Sequence, residues 1–430
     1  MILRDPVHGL VSFESAEQAI VPKLLEATEL QRLRRIRQLG LTSLAYPGAD
    51  HTRFSHAIGA AHVMTRLLAR LRSLQDDLPY WQRVTSERAR EALSAALLHD
   101  LGHGPFSHLF EEAMPSGPHH ETWTERVILD PDTEVHRILS QDDAGLPQRV
   151  AELIRGRSPL TYLARAVSGT FDVDRCDYLL RDAHATGVSY GSFDLDWLIR
   201  SFRFGVESKP GSAPPLAIDG AKGLTAIESF ILARLFMFQQ VYFHKTSRAS
   251  EWMVTRIFAR VRDLLLDGTD VEGVPSAVRS IALHGDAALG EYLELDDVKL
   301  FGCLASWRAA SDLVLRDFAS RLCERKLFKT YELYAEQAEP NARLEAYAIA
   351  KDVARANGYD PEIYVGLDVS SDVPFDDTYE PLTVVFPDNT QRRPADVSFL
   401  LGRLRGQKLT RVRLIFVPEL REPIVTALMR

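Results

Sequence analysis

Ala95-Ala96-Leu97-Leu98-His99-Asp100-Leu101-Gly102-His103-Gly104 is the stretch whose reading decides the rest. An apolar run at helical spacing leads to an adjacent histidine and aspartate, and Gly102 and Gly104 then break the helix. Neighbouring helical residues point about 100° apart, so a His-Asp pair cannot clamp a metal alone. It can supply two corners of a site completed from other helices. Taken in isolation, the pair has an ordinary reading: a satisfied core histidine beside a helix-end carboxylate. The i, i+4 spacing of His99 and His103 imitates a zinc-protease helix, but Asp100 is shorter than the glutamate that motif needs, and Gly102 interrupts the helix.

Working outward, Tyr46-Pro47-Gly48-Ala49-Asp50-His51-Thr52-Arg53-Phe54-Ser55-His56 ends a turn and opens a helix with a histidine near its start. Downstream, Phe171-Asp172-Val173-Asp174-Arg175-Cys176-Asp177-Tyr178-Leu179-Leu180-Arg181-Asp182 places four aspartates on a partly apolar helix. Buried carboxylates without partners are costly, so such a set binds cations or basic groups, or else forms a solvated acidic face. Eight of the thirteen histidines fall between positions 51 and 120. Together the three segments offer two imidazoles and two carboxylates, a mixed N/O set suited to a divalent metal such as Mn, Fe, Zn, Co or Ni.

The organisation expected is mostly α. Helices are read at Phe54–Leu71, Ser86–Leu101, Thr122–Leu139, Leu146–Ile154 and Ile227–Phe243 from apolar spacings of three and four. The first twenty residues read as a short strand or hairpin. Gly205–Leu216 and Ser276–Leu289 carry Gly, Pro or Ser and read as excursions, with a hairpin between Gly205 and Lys222. Past Leu327 the pattern changes to a helix at Ala342–Ala356, strand-like runs at 363–367, 382–386 and 411–417, and a short final helix. The division expected is residues 1–329 and a smaller α/β region, 330–430.

Bulk properties exclude some classes. A content of 46% hydrophobic and 26% charged residues fits a soluble folded protein. A net charge of −8 gives no global field for nucleic acid or anionic membrane, although Gln31-Arg32-Leu33-Arg34-Arg35-Ile36-Arg37 is locally basic. Cys176, Cys303 and Cys323 contain no CxxC pair, arguing against a thiolate zinc site or disulfide framework. The N-terminus shows no signal-peptide pattern, and the apolar stretch Ser229–Tyr242 contains Arg234, Gln239 and Gln240, so a buried helix and a cytoplasmic chain are expected, with no membrane partner.

The pattern H…HD…D, here His56, His99-Asp100 and Asp174, resembles the HD superfamily. The strings RDPVHG, QRLRRIRQLG, YPGADHTRFSHAIG, LLHDLGHGPFSHLFE, DVDRCDYLLRD and RKLFK resemble its deoxynucleoside triphosphate triphosphohydrolase branch, in the same order from Arg4 to about Lys329. The resemblance implies an HD-domain helical core in which His56, His99, Asp100 and Asp174 hold a divalent metal (Mn, Mg, Fe, Zn, Co or Ni). It implies hydrolysis of a dNTP to deoxynucleoside and inorganic triphosphate.

Further roles follow from the same resemblance. His108 matches the proposed general acid, with Glu111, where the family more often has Asp, one turn on to orient it. His103 and His120 match histidines that neutralise phosphate. Arg53, Arg175, Arg234 and Lys245 match phosphate-gripping positions, Arg175 replacing a Lys. Gln38, Tyr178 and Asp182 match residues that bind the 3′-hydroxyl, and Tyr242 an aromatic packed against C2′. Phe243 stands where the animal enzyme of this branch has a Gln near the base. Glu26, Gln31 and Arg34 match a regulatory site for an activating nucleotide, beside a plainer reading as a helix-surface pair between Glu26 and Arg34. A homo-oligomer, dimer or tetramer, is implied. Two other readings stand beside this one: an HD phosphodiesterase or nuclease acting on single-stranded DNA or another phosphorylated nucleotide, which the charge disfavours, and a catalytically silent nucleotide sensor.

Overall fold

The computed structural model describes residues 1–207, 211–220, 222–378 and 382–429, and these form a mostly helical protein with small sheets. The chain opens with an antiparallel hairpin, β1 (Ile2–Asp5) and β2 (Gly9–Ser12). The helices that build the site are, in chain order, α1 (Arg53–Arg72), α2 (Ser86–Leu98), α3 (His108–Ala113), α4 (His120–Leu129), α5 (Val173–Thr186), α6 (Leu224–Met237) and α7 (Lys245–Leu266).

Local chemistry sets several of these bounds. The side chains of Thr85 and Asp172 accept from the backbone N–H of Arg88 and Arg175, capping α2 and α5. Gly187, at φ 75°, ends α5 in the left-handed conformation. Helices α1 and α2 pack against each other, and their small residues Ala57, Ala60, Ala61, Ala92, Ala95 and Ala96 are all buried.

Two helical expectations need correction. Thr122–Leu139 is not one helix: α4 ends at Leu129 and another spans Glu134–Asp142, because Pro131 lacks the N–H that would continue the ladder. Ser276–Leu289 is not an excursion, since Ser276–His284 is a helix with Val278 and Ile281 buried. Gly285, one of the turn-forming residues in that stretch, ends the helix, and Pro275, just before the helix, is its N-cap. The hairpin expected between Gly205 and Lys222 starts earlier, with β3 (Phe202–Phe204) antiparallel to β4 (Leu216–Asp219).

The later strands are β5 (Lys329–Leu333), β6 (Val365–Asp372), β7 (Thr383–Val385), β8 (Gln391–Arg392) and β9 (Leu409–Phe416). β9 lies between β5 and β6 in an antiparallel sheet, and Val365, Val412 and Leu414 share a core with Met253 and Ile257 of α7. β7 instead runs parallel to β4, with Ala217 opposite Thr383, and Phe375, Val384 and Leu401 join the core of α1, α2 and α5. The packing therefore crosses the 329/330 division in both cores. Periodicity locates elements; it does not say which neighbours they choose.

Helix α6 runs on into a π-helical turn, Phe238–Tyr242. Leu224–Tyr242 is long and apolar enough to cross a bilayer by length and composition. Its Ile227, Phe230 and Ile231 are nevertheless fully buried in the protein's own core, and its Arg234 pairs with Asp372.

Candidate active site

Three helices bring the expected ligands together. His56 sits in the first turn of α1, His99 and Asp100 follow α2, and Asp174 lies in the first turn of α5. His56 Nε2 is 3.3 Å from His99 Nε2 and 3.0 Å from Asp174 Oδ1, which is itself 3.4 Å from His99 Nε2. Asp100 approaches from the side, with Oδ2 3.7 Å from His56 Nε2 and Oδ1 3.5 Å from His99 Nε2.

The second nitrogen of each ring aims the first. His99 Nδ1 donates to the Ala96 carbonyl (2.9 Å) and His56 Nδ1 to Asp177 Oδ2 (2.7 Å), so both Nε2 atoms face inward. Burial disfavours charge on His56, yet Asp174 and Asp177 outweigh it and raise the ring to about 10. Against the same burial, His56 and His99 hold Asp174 below the usual carboxylate range, and Arg53, His99 and His103 do so for Asp100. The point where these groups converge is built for positive charge. The two imidazole nitrogens and the Asp174 carboxylate lie within 4.8 Å of one another, with the ionised Asp100 at their edge, a set that fits a divalent ion without singling one out.

A second cluster, His103, His108, Glu111 and His120, also brings donor atoms within 4.8 Å of one another. The rings of His103 and His120 stack, with centroids 3.9 Å apart and planes 15° apart. Lone pairs in nearly parallel planes cannot converge on one ion, and Glu111 already accepts from His119 Nδ1 (2.9 Å) and His120 Nδ1 (2.6 Å). This cluster reads as a wall of imidazoles that can exchange protons with a ligand. Burial and the charge of Arg53 push His103 well down, and the same two effects with His120 push His108 down to about 4.

His99, Asp100 and Asp174 of the first group and His103, His108 and His120 of the second line one cleft of about 880 Å³, a size suited to a small organic ligand. Arg53 spans them: Nε donates to Ser107 Oγ (2.8 Å) and Nη1 to Asp100 Oδ2. Gly102 is required by close approach, since a Cβ there would lie 2.2 Å from the His120 carbonyl oxygen and from Thr124 N. The turn that follows holds Phe106 (φ 58°) and Ser107 (φ 61°) in the left-handed half of backbone space. Asp297, from a distant helix, sustains it by accepting from Phe106 N (2.8 Å) and Arg37 N (3.0 Å).

Further along, Gln38, Arg175, Tyr178, Asp182 and Tyr242 line the same cleft. The Tyr242 hydroxyl donates to Asp182 Oδ2 (2.8 Å). Burial, with Asp182 close by, raises the Tyr242 phenol, and burial likewise raises that of Tyr178.

Some expected residues lie elsewhere. Arg234 does not line the cleft: it donates to Asp372 Oδ1 (3.2 Å) and Oδ2 (3.1 Å) and to the Pro374 carbonyl, partners supplied by the end of β6 and the chain just after it. Lys245 lies in a separate basic cavity of about 290 Å³ with Arg325, Lys329 and Arg421. Glu111 bonds His119 and His120 rather than His108, because the start of α4 brings those two ring nitrogens to 2.9 and 2.6 Å from its carboxylate oxygens. Arg34 donates to Gln31 Oε1 (2.8 Å) and stacks on Phe54, so the surface pair expected with Glu26 is not formed. Sequence reading missed Asp177, His8, His51, Ser107 and Asp297. Only Asp177 carried a usable signal, its i+3 spacing from Asp174.

Comparison with known proteins gives a consistent picture. The HD domain profile matches residues 53–180, and that of the HD associated region matches 193–272. The chain is 36% identical over 379 residues to the protein YwfO of Bacillus subtilis, covering 87% of this chain and 81% of that one. It is 27% identical over 290 residues to the deoxynucleoside triphosphate triphosphohydrolase SAMHD1 of Danio rerio, covering 60% of this chain but 44% of that one. In structure it is similar to a phosphohydrolase from Bacteroides thetaiotaomicron, with a TM-score of 0.79 and 27% identity over 97% of this chain and 99% of the other.

Proposed function

This chain belongs to the HD-domain family of phosphohydrolases, and from that premise we propose that it hydrolyses deoxynucleoside triphosphates to deoxynucleoside and inorganic triphosphate. The observation that carries the reading is the shared cleft. Ligands for a divalent ion, a wall of imidazoles and an aromatic-carboxylate pair share one cavity, chemistry that suits an α-phosphate, the rest of a triphosphate and a deoxyribose. The printed name of the SAMHD1 relatives supports the substrate class.

His56, His99, Asp100 and Asp174 would hold the ion. When bound it would supply Lewis acidity toward the α-phosphoryl oxygen and a water of lowered pKa. Arg53 and Arg175 would offer the tail positive charge, and His103 and His120 would offer ring nitrogens, which suits a polyanion. His108 is the candidate to protonate the departing 5′-oxygen. Its low pKa in the free cleft rises when a polyanion is bound beside it, bringing the proton where it is needed. Glu111 fixes His120 by accepting from Nδ1, leaving Nε2 toward the cleft. Gln38, Tyr178 and Asp182, which line the cleft, would bind the sugar 3′-hydroxyl, and the Tyr242 ring would pack against C2′. Regulation by a nucleotide at Glu26, Gln31 and Arg34, and assembly into dimers or tetramers, belong to the same proposal; light scattering with and without nucleotide tests both.

The decisive experiment incubates the purified protein with each dNTP and Mn²⁺ or Mg²⁺ and separates products by anion exchange. Triphosphate with nucleoside is expected. Pyrophosphate or monophosphate would reject this choice of bond, and cleavage of single-stranded DNA without dNTP turnover would favour the phosphodiesterase reading.

A further inference from the structure

The turn of the N-terminal hairpin is joined to the candidate metal centre through one carboxylate. Asp177 Oδ1 accepts from His8 Nε2 (2.6 Å) and Arg181 Nη2 (2.9 Å), and Oδ2 accepts from His56 Nδ1 (2.7 Å) and Arg181 Nε (2.8 Å). Four donors fill the acceptor positions of an ionised carboxylate. The side chains of Asp177 and His56 are wholly buried, and that of His8 is 3% exposed. Space for this carboxylate exists because residue 59 of α1 is glycine: a Cβ there would lie 1.8 Å from Asp177 Oδ1.

The hairpin side is equally ordered. Asp5 Oδ1 accepts from the backbone N–H of Val7 and His8 (2.9 Å each), which shapes the turn, and Asp5 Oδ2 accepts from Arg181 Nη1 (2.8 Å). Residues separated by well over a hundred positions thus share one buried network, with His56 at its inner end.

We propose that His8 is a positioning residue for the metal centre: by donating to Asp177 Oδ1 it fixes the rotation of the carboxylate whose other oxygen aims His56. The inference rests on the metal-site reading given above. The orientation of a ligating imidazole depends on the acceptor at its outer nitrogen, and losing such outer support costs about 10- to 100-fold in metal affinity. Without His8, Oδ1 keeps a single donor in a buried gap, and the carboxylate can turn away from His56 Nδ1. Linkage then works in both directions: an ion held at His56 favours the docked hairpin, as the docked hairpin favours the ion.

The test measures Mn²⁺ affinity by chelator competition for wild type, His8→Ala and His8→Gln. His8→Ala is expected to bind about 10- to 100-fold more weakly while its metal-free form stays folded at the assay temperature. His8→Gln, whose amide nitrogen reaches the place of Nε2, should recover most of the loss, which a role in mere filling would not produce. In the wild type alone, amide hydrogen exchange in β1 and β2 should slow on adding Mn²⁺ by more than exchange in β6. Equal affinity in wild type and folded His8→Ala, or no preferential slowing in the hairpin, overturns the inference. A wild type that binds no divalent ion overturns the metal-site reading instead, and the two failures are told apart by that measurement.

Discussion

Tyr242 donates its hydroxyl proton to Asp182 Oδ2 over 2.8 Å, while His51 Nε2 donates to the other oxygen of the same carboxylate over 2.7 Å. Tyr242 stands on the π-helical turn beyond α6 and Asp182 on α5, so the bond fixes the ring across the cleft. A π-turn adds a residue to the helical ladder and often marks a functional position. If this ring excludes a ribose hydroxyl, its rigidity is what gives it force, since rejection by packing alone is weak.

Replacing Tyr242 by Ala should therefore lower the ratio of kcat/KM for a dNTP over the matching NTP by about tenfold or more, as expected when a rigid wall is removed. Tyr242→Phe keeps the ring but loses the anchor to Asp182, and should fall between. Steady-state kinetics on paired substrates decides. An unchanged ratio in Tyr242→Ala would remove the sugar-gate assignment.

Metal removal should abolish turnover reversibly. Dialysis against a chelator is expected to cut activity by more than about a hundredfold, the loss of several kcal/mol of charge stabilisation, and adding back a divalent ion to restore it. His99→Ala and Asp174→Ala should lose bound metal, read by elemental analysis, and should not be rescued. Full turnover in metal-free His99→Ala would contradict the proposed chemistry.

Substrate binding should be coupled to proton uptake near pH 7. His108 is pushed down to about 4 in the free cleft and is therefore neutral, and a neighbouring triphosphate favours its charged form. Calorimetry with a non-hydrolysable dNTP analogue, in two buffers of different ionisation enthalpy, should report uptake of up to about one proton. His108→Gln should reduce that uptake; equal uptake in the variant would assign the proton elsewhere.

Glu111 should contribute to stability in a defined pH window. Burial raises its carboxyl, but the bond and charge of His120, with the bond from His119, outweigh this and bring it down to about 2 from an ordinary 4.5. A depressed carboxylate stabilises the fold above its unfolded pKa, and that contribution fades as pH falls from about 4.5 towards 2. Glu111→Gln should thus be less stable than wild type by about 1–2 kcal/mol at neutral pH, allowing for partial solvent screening. Urea unfolding at pH 7 and pH 3 checks this: the gap should narrow at the lower pH.

His99, Asp100 and their glycine-broken helix end were legible from residue order alone, because an apolar run, its breaker and its polar end are all properties of a few consecutive positions. The same holds for His56 at the opening of α1 and Asp174 just inside the cap made by Asp172. Chemical type and helical phase determined which groups were available and roughly where each would point.

Pairing was decided by the tertiary structure. Asp372 engages Arg234 from 138 positions away, His8 reaches Asp177 across 169, and Asp297 holds the Phe106 turn across 191. Glu111 turned to His120 although His108 was nearer in sequence. Local periodicity specifies backbone over one or two turns, whereas the partner of a buried charge is whichever opposite group the packed chain brings within about 3 Å, and that choice minimises a desolvation cost no short stretch of sequence contains.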